Sequence, residues 1–172
     1  MKLELKAIKY CDFASQETYC FEGVIYLDGK PFAHVDNDGH GGADRVHIHQ
    51  KFKGANGNWM NKFREIEAYF KSLPKTDVGV YDWAPDGFEQ TLESWCHAQV
   101  CEYLTKKDLK RLLKRCVVAQ IKENDELRVA QWNKPKDKPD WLLKEFIKNK
   151  YTDVTILNDI AENQALEIYQ TI

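Results

Sequence analysis

Three features of the sequence predict an α+β fold: an N-terminal antiparallel β-meander packed with helices, followed by a later β-hairpin and C-terminal helices. Near the N-terminus apolar residues alternate with polar ones, and an Asp28-Gly29 turn divides the run. In the middle, apolar residues recur at intervals of three and four, from Trp59 and again from Phe88. Two further strand-like runs, Val117 to Ile121 and Leu127 to Trp132, then give way to helical spacing once more.

Taken in order, Lys2 to Cys11 places Leu3 and Leu5 on one strand face and shifts phase around Ala7-Ile8. Thr18 to Leu27, rich in β-branched and aromatic residues, is a second strand. Asp28-Gly29 is a type I′ hairpin signal, because both central positions of that turn need positive φ, and Pro31-Phe32-Ala33-His34-Val35 should return antiparallel to the second strand. Phe21, Gly23, Ile25 and Leu27 fall on one face of that strand, and Cys20, Val24 and Tyr26 fall with Glu22 on the other. Two largely apolar faces predict a central strand covered on both sides. Arg45 to His49 alternates as a short fourth strand.

Gly54-Ala55-Asn56-Gly57-Asn58 stops regular structure and supplies an N-cap for a helix carrying Trp59, Phe63, Ile66, Phe70 and Leu73, which Pro74 closes. Lys75 to Gly87 reads as a short extended piece and a loop. A second helix begins near Phe88, with Phe88, Leu92, Trp95, Cys96, Gln99, Val100 and Tyr103 inward. Thr105-Lys106-Lys107-Asp108, resembling a capping box, should break the run and start a third helix with Leu109, Leu112, Leu113 and Cys116 on its apolar face. Lys122 to Glu126 joins the two strands of the later hairpin. Asn133 to Pro139 is the best internal linker, after which a helix opened by Pro139 or Asp140 packs Trp141, Leu142, Phe146 and Ile147. Val154 to Leu157 is a short strand or turn, and Ala161 to Tyr169 is a last helix.

The 172 residues fit a single domain, 1–172. A subdivision offers itself between 1–104, the meander with two helices, and 105–172, the basic helix, hairpin and C-terminal helices. A formal charge of −2 and a pI of about 6.2 give no global attraction to nucleic acid or anionic lipid. The N-terminus lacks the apolar core of a signal peptide and no segment has the apolar length to span a bilayer, so a cytoplasmic protein with no membrane partner is expected. Cys11, Cys20, Cys96, Cys101 and Cys116 are odd in number and form no CxxC pair, as befits free thiols in a reducing compartment.

Chemistry concentrates in the stretch His34 to Asp44 and the histidines after it. Asp36, Asp38, His40, Asp44, His47 and His49 are ligand types that zinc, manganese or iron accept, and His47 and His49 share one strand face. The frame fits no HExxH, facial-triad or EF-hand pattern, and Asx side chains capping local backbone groups in a Gly-rich turn are the alternative. The three aspartates oppose a phosphate nest. His97 and Cys101, four apart on a helix, share a face, whereas Cys96 points about 100° away from His97 and belongs to the core. Cys20 reads as a buried small hydrophobe. Lys106, Lys110 and Lys114 form one basic row and Lys107, Arg111 and Arg115 a second, a candidate contact for phosphates or an acidic partner. A solvated amphipathic helix with cations near its C-terminus gives the same pattern. Trp132, Trp141 and the Lys-rich linker between them would strengthen the case for a polyanion if both surfaces shared a face.

The run Tyr10-Cys11-Asp12-Phe13-Ala14-Ser15 through Phe21, the Leu27-Asp28-Gly29-Lys30 turn, Asn37-Asp38-Gly39-His40-Gly41-Gly42 and Leu104-Thr105-Lys106-Lys107-Asp108-Leu109 to Arg115 resemble a group of small uncharacterised bacterial and phage proteins. That resemblance carries no activity. It implies a phage or mobile-element accessory role, in the host cytoplasm if phage-encoded.

With coherent core patterning and no complete catalytic constellation, no catalytic residue is assigned. A non-enzymatic protein binding a host or phage macromolecule, most directly a protein, is expected, with no cofactor. The alternatives are a metal-dependent hydrolase or nuclease using the loop His/Asp set and a divalent metal, and a nucleic-acid binder using the basic helix.

Overall fold

A computed structural model describes residues 1–49 and 58–171. The fold is α+β, with two antiparallel sheets, and the chain divides into two compact units, Met1–Cys101 and Glu102–Ile172.

The first unit is built on a four-stranded meander in the order β1-β2-β3-β4: β1 (Leu3–Tyr10), β2 (Phe21–Leu27), β3 (Lys30–Asn37) and β4 (Arg45–Ile48). The phase shift in the first strand is a bulge. Ala7 has φ 54°, and the β1–β2 register slips between Lys6 and Lys9. Leu3 and Leu5 pair with Leu27 and Ile25 before the bulge, and Tyr10 pairs with Phe21 after it. Asp28 and Gly29 both have positive φ, 49° and 80°, as a type I′ turn requires.

Phe21, Ile25 and Leu27 of β2, with Phe32, Ala33 and Val35 of β3, are buried. The other face of β2 differs from expectation, for Glu22 is exposed and Val24 and Tyr26 are only half-buried. Cross-strand neighbours explain this. Lys9, Glu22, Asp36 and Arg45 line up across all four strands, as do Lys6, Val24, His34 and His47, so covering the face would desolvate a fully charged row and, beside it, a lysine and two imidazoles. β2 is central in the sheet yet covered on one side.

Helix α1 (Asn58–Lys71) buries Ile66 and Phe70, and α2 (Leu92–Arg115) buries Leu92, Cys96 and Val100 in its first half. Of the cap expected over Gly54 to Asn58, residues 54–57 lie outside the described residues and Asn58 is the first residue of α1. The second helix starts at Leu92 and not near Phe88. Thr91 and Ser94 cap each other reciprocally, each backbone N–H donating to the other's hydroxyl at 2.9 and 3.0 Å, while Phe88 is bridged to Thr76.

The expected break at Thr105 is also absent, since α2 runs unbroken to Arg115. A capping residue needs non-helical backbone, and here Glu102 and Lys106, one turn apart, pair at 2.6 Å across the anticipated break. The second unit takes up this helix from Glu102 onward.

That unit has a three-stranded antiparallel sheet in the order β6-β5-β7: β5 (Cys116–Glu123), β6 (Glu126–Asn133) and β7 (Thr152–Ile156). Asn124 and Asp125, both at positive φ, make the β5–β6 turn, and Arg128 pairs with Glu123 beside it. Both faces are covered. Cys116 and Val118 pack with Leu109 of α2 and with Ala165 and Leu166 of α4 (Glu162–Gln170). Val117, Ala119 and Ile121 pack with Ile147 of α3 (Asp140–Lys150) on the opposite face.

Asn158 fastens this arrangement. Its Oδ1 accepts the Val118 N–H at 2.8 Å and its Nδ2 donates to the carbonyls of Leu113 and Cys116, both at 3.0 Å, satisfying the end of α2 from more than 40 residues away.

In α3 the inward stripe differs from expectation. Ile147 is buried with Leu143 packed beside it, whereas Trp141, Leu142 and Phe146 are 56, 40 and 54% exposed. Leu143 and Ile147 lie one turn apart on the sheet side, so the three larger residues turn outward.

Candidate functional site

The stretch His34 to Asp44 leaves β3 and closes on one buried side chain, Asn37. Its Oδ1 accepts from the Thr18 hydroxyl at 2.7 Å and the Gly39 N–H at 2.9 Å; its Nδ2 donates to the Gly42 carbonyl at 3.2 Å and to Asp44 Oδ1 at 3.0 Å. All the bonding capacity needed to leave no buried group unmet is used. Gly39 then accepts the N–H groups of Gln16, Glu17 and Thr18 on its carbonyl. With φ 86° and a would-be Cβ 2.1 Å from the Ala14 carbonyl oxygen, position 39 admits only glycine. Asp38 Oδ1 accepts the His40 N–H at 3.3 Å, a local Asx cap of the kind the sequence suggested.

The six metal-ligand candidates fall into three places. Asp36 and His47 lie on the open sheet face, 3.2 Å apart, where His34 pairs with His47 and its ring stacks on that of His49 at 5.8 Å. Asp38 and His40 are exposed on the loop. Asp44 turns toward Asn37.

Between the first two places stands Arg45. Its guanidinium contacts Asp36 Oδ2 at 2.7 and 2.9 Å and Asp38 Oδ2 at 3.0 Å, so the charge that two carboxylates would offer a metal is already met by a forked cation. The His40 amide and Arg45 hold the Asp38 carboxyl below its ordinary range. Among the described residues no group of three His, Cys, Asp or Glu side chains is placed to hold a metal ion.

Asp44 belongs to a cleft of about 290 Å³ lined by Thr18, Tyr19, Asn37, Gly42, Thr91, Glu93, Ser94 and His97. Its backbone N–H donates to Glu93 Oε1 at 3.1 Å, tying the loop to the first turn of α2. Its Oδ2 is inaccessible and has no hydrogen-bond partner among the described residues. Burial first, with Glu93 adding to it, pushes the Asp44 carboxyl above the ordinary carboxylate range, against the opposing bond from Asn37. One hydrogen bond, from the Asp44 N–H to Glu93, joins loop to helix, while Thr18, Asn37 and Gly42 bond among themselves and Thr91 and Ser94 bond each other.

His97 is exposed, and its ring stacks on Tyr19 at 5.4 Å. The Cys101 thiol lies against the same tyrosine and, together with burial, raises the phenol above its ordinary value. Cys96 is fully buried, and burial pushes its thiol up to about 12, which removes it as a nucleophile. Cys20 is half-buried rather than in the core, beside Cys11, whose N–H donates to the Cys20 carbonyl at 2.9 Å.

The six basic residues of α2 divide by partnership. Lys106 pairs with Glu102 and Lys110 with Glu162 at 2.9 Å. Lys107, Arg111, Lys114 and Arg115 are exposed and make no ion pair among the described residues. These four lie within about 100° of the helix circumference. The Trp141 surface does not join them: α3 and this part of α2 cover opposite faces of the three-stranded sheet.

An exposed aromatic surface lies in the segment that the sequence reads as a short extended piece and a loop. Thr76 and Phe88 exchange two backbone hydrogen bonds at 3.0 and 2.9 Å, closing residues 76–88 at the base. Within it Gly79 donates to Pro85, Ala84 to Tyr81 and Gly87 to Ala84, each at 3.0 Å. Tyr81, Trp83 and Phe88 form a three-ring cluster with centroids 5.5 to 5.9 Å apart. Trp83 is 75% exposed, and Val78 and Val80 are each 62% exposed. The signal available in the sequence was the density of large apolar residues inside a Gly- and Pro-punctuated stretch too short to bury them.

Among the described residues no helix is long and apolar enough to cross a membrane. No family model, curated protein or solved structure matches the chain.

Proposed function

We propose that this chain is a non-enzymatic interaction protein that docks a protein partner through the aromatic loop 76–88. The observation that carries this reading is the Tyr81–Trp83–Phe88 cluster, held outward with Val78 and Val80 on a loop whose backbone is hydrogen-bonded to itself. Exposed apolar surface of this kind costs solubility and is typical of binding sites. Tyr and Trp are the side chains most enriched where binding energy concentrates. A loop already fixed by internal bonds loses little conformational entropy on docking.

The test is affinity retrieval from a lysate of the source cell with the full chain and with Trp83→Ala and Tyr81→Ala variants. A partner kept by the parent chain and lost with both variants supports the reading. Turnover of a substrate that depends on Asp44 or His97 contradicts it.

A second reading is carried by the four cations Lys107, Arg111, Lys114 and Arg115 on one helix face, which make no ion pair among the described residues. It assigns that face to nucleic-acid phosphates. Affinity for duplex or single-stranded DNA should then fall steeply with salt, and the Arg111→Glu, Arg115→Glu double variant should flatten the slope. Unchanged affinity in that variant removes the helix from consideration.

A further inference from the structure

We infer that the partner segment seated on the aromatic loop is cationic, a stretch of protein bearing several Arg or Lys side chains; this rests on the docking reading above. The loop's rings are interspersed along the chain with four carboxylates, Asp77, Asp82, Asp86 and Glu89, all exposed, with Lys75 the one basic residue between positions 75 and 90. None of the four makes an ion pair among the described residues, although exposed acids elsewhere in the chain do: Glu22 with Lys9, Glu65 with Lys62, Glu162 with Lys110. The surface therefore pairs unneutralised negative charge with open aromatic faces.

Those two features select the same chemistry. A ring face carries the negative end of its quadrupole, so Trp83 and Tyr81 attract a guanidinium or ammonium stacked over them. Carboxylates at the edge meet the same group's N–H donors, and arginine satisfies both at once because its planar head stacks and forks. An acidic or phosphorylated segment would be repelled from this edge, and a purely apolar one would desolvate four carboxylates without a counter-charge. Complementary charge at the rim also speeds encounter and confers salt dependence.

The experiment uses the full chain and three amidated peptides of one length: one with four arginines interspersed among leucines, one with citrulline in place of every arginine, and one with glutamate there. Binding is followed by the Trp83 indole NMR signal and by tryptophan fluorescence. The expected result is saturable binding of the arginine peptide centred on Trp83, about tenfold or more tighter than the citrulline peptide from the summed rim pairs. No binding of the glutamate peptide is expected. The Asp82→Asn, Asp86→Asn double variant, both exposed positions, should weaken the arginine peptide severalfold and leave the citrulline peptide unchanged.

Equal affinity for arginine and citrulline peptides overturns the cationic assignment while leaving the docking reading in place. Absence of saturable binding by the arginine peptide overturns it too, and retrieval with Trp83→Ala decides the docking reading separately. Self-association that shifts the sedimentation mass of the parent chain, and is lost in Trp83→Ala, would replace the cationic partner by a second copy and overturns the inference.

Discussion

Replacing Asn37 by Ala tests whether one buried amide organises the loop after β3. The substitution deletes four hydrogen bonds, to Thr18, Gly39, Gly42 and Asp44. The Thr18 hydroxyl and the Asp44 carboxylate line the cleft and can turn to water, so their loss is softened. The Gly39 N–H is buried and cannot, and an orphaned buried donor costs about 1–3 kcal/mol on its own. Taking the middle of that range and adding about 1 kcal/mol for the remaining bond, to the Gly42 carbonyl, gives a destabilisation of about 3 kcal/mol.

The assay is native-state hydrogen exchange at the β2 and β3 amides, which reads the first unit alone. Exchange of the slowest amides should accelerate on the order of a hundredfold, since each 1.36 kcal/mol is a factor of ten. Asn37→Asp sharpens the test. It keeps the acceptor for Gly39 and places a carboxylate oxygen against the Gly42 carbonyl and Asp44, where the new group's folded pKa is raised. The penalty should be present at neutral pH and should shrink as pH falls through that raised value and the carboxyl regains a donor. An acceleration below about fivefold in Asn37→Ala, under about 1 kcal/mol, would refute the reasoning.

Asp44→Asn should raise the melting temperature near pH 7, because burial raises the Asp44 carboxyl: the parent's favourable contribution is complete below the ordinary pKa and is lost as pH rises through the folded value. The gain should vanish in acid, and an equal gain at every pH would contradict the assignment. In the folded chain Cys96 should be the cysteine slowest to react with iodoacetamide, as a buried thiol pushed up to about 12 presents almost no thiolate; mass mapping of partially labelled protein checks the order. Asn158→Ala should destabilise the second unit by about 2–3 kcal/mol, since it removes an acceptor for Val118 and two donors at the end of α2, and exchange at the β5 amides reads the loss.

Local chemistry carried much of the fold into the sequence. The bulge at Ala7 showed as a change of hydrophobic phase, and the turn at Asp28-Gly29 as a residue pair suited to positive φ. What the sequence concealed depended on partners distant along the chain. The unbroken α2 hides behind a cap-like tetrapeptide whose Lys106 pairs backward to Glu102. In α3, apolar residues occupy most of the circumference, so spacing alone could not say that Leu143 and Ile147 face the sheet. The open face of β2 is decided by Lys9, Asp36 and Arg45 on its neighbours.

The candidate site was legible in the same uneven way. The Asx capping at Asp38 is local and was foreseeable. Arg45 lies in a strand that alternation picked out, yet its fork over Asp36 and Asp38 follows from strand pairing and has no sequence motif. Asn37 stood among residues noted for metal-ligand chemistry, and its role emerged only once Thr18, Gly42 and Asp44 converged on it. The aromatic loop was passed over because a run with Gly79, Pro85 and Gly87 reads as a connection, whatever it displays.

The most direct test of the docking surface is photo-crosslinking from the loop itself. A benzophenone side chain in place of Trp83 in the full chain, irradiated in a lysate of the source cell, should yield one discrete protein adduct. The same group in place of Phe13, an isolated aromatic residue that is 91% exposed, should not. Identical adduct patterns from the two positions, or none from position 83, would contradict the assignment of loop 76–88 as the binding surface.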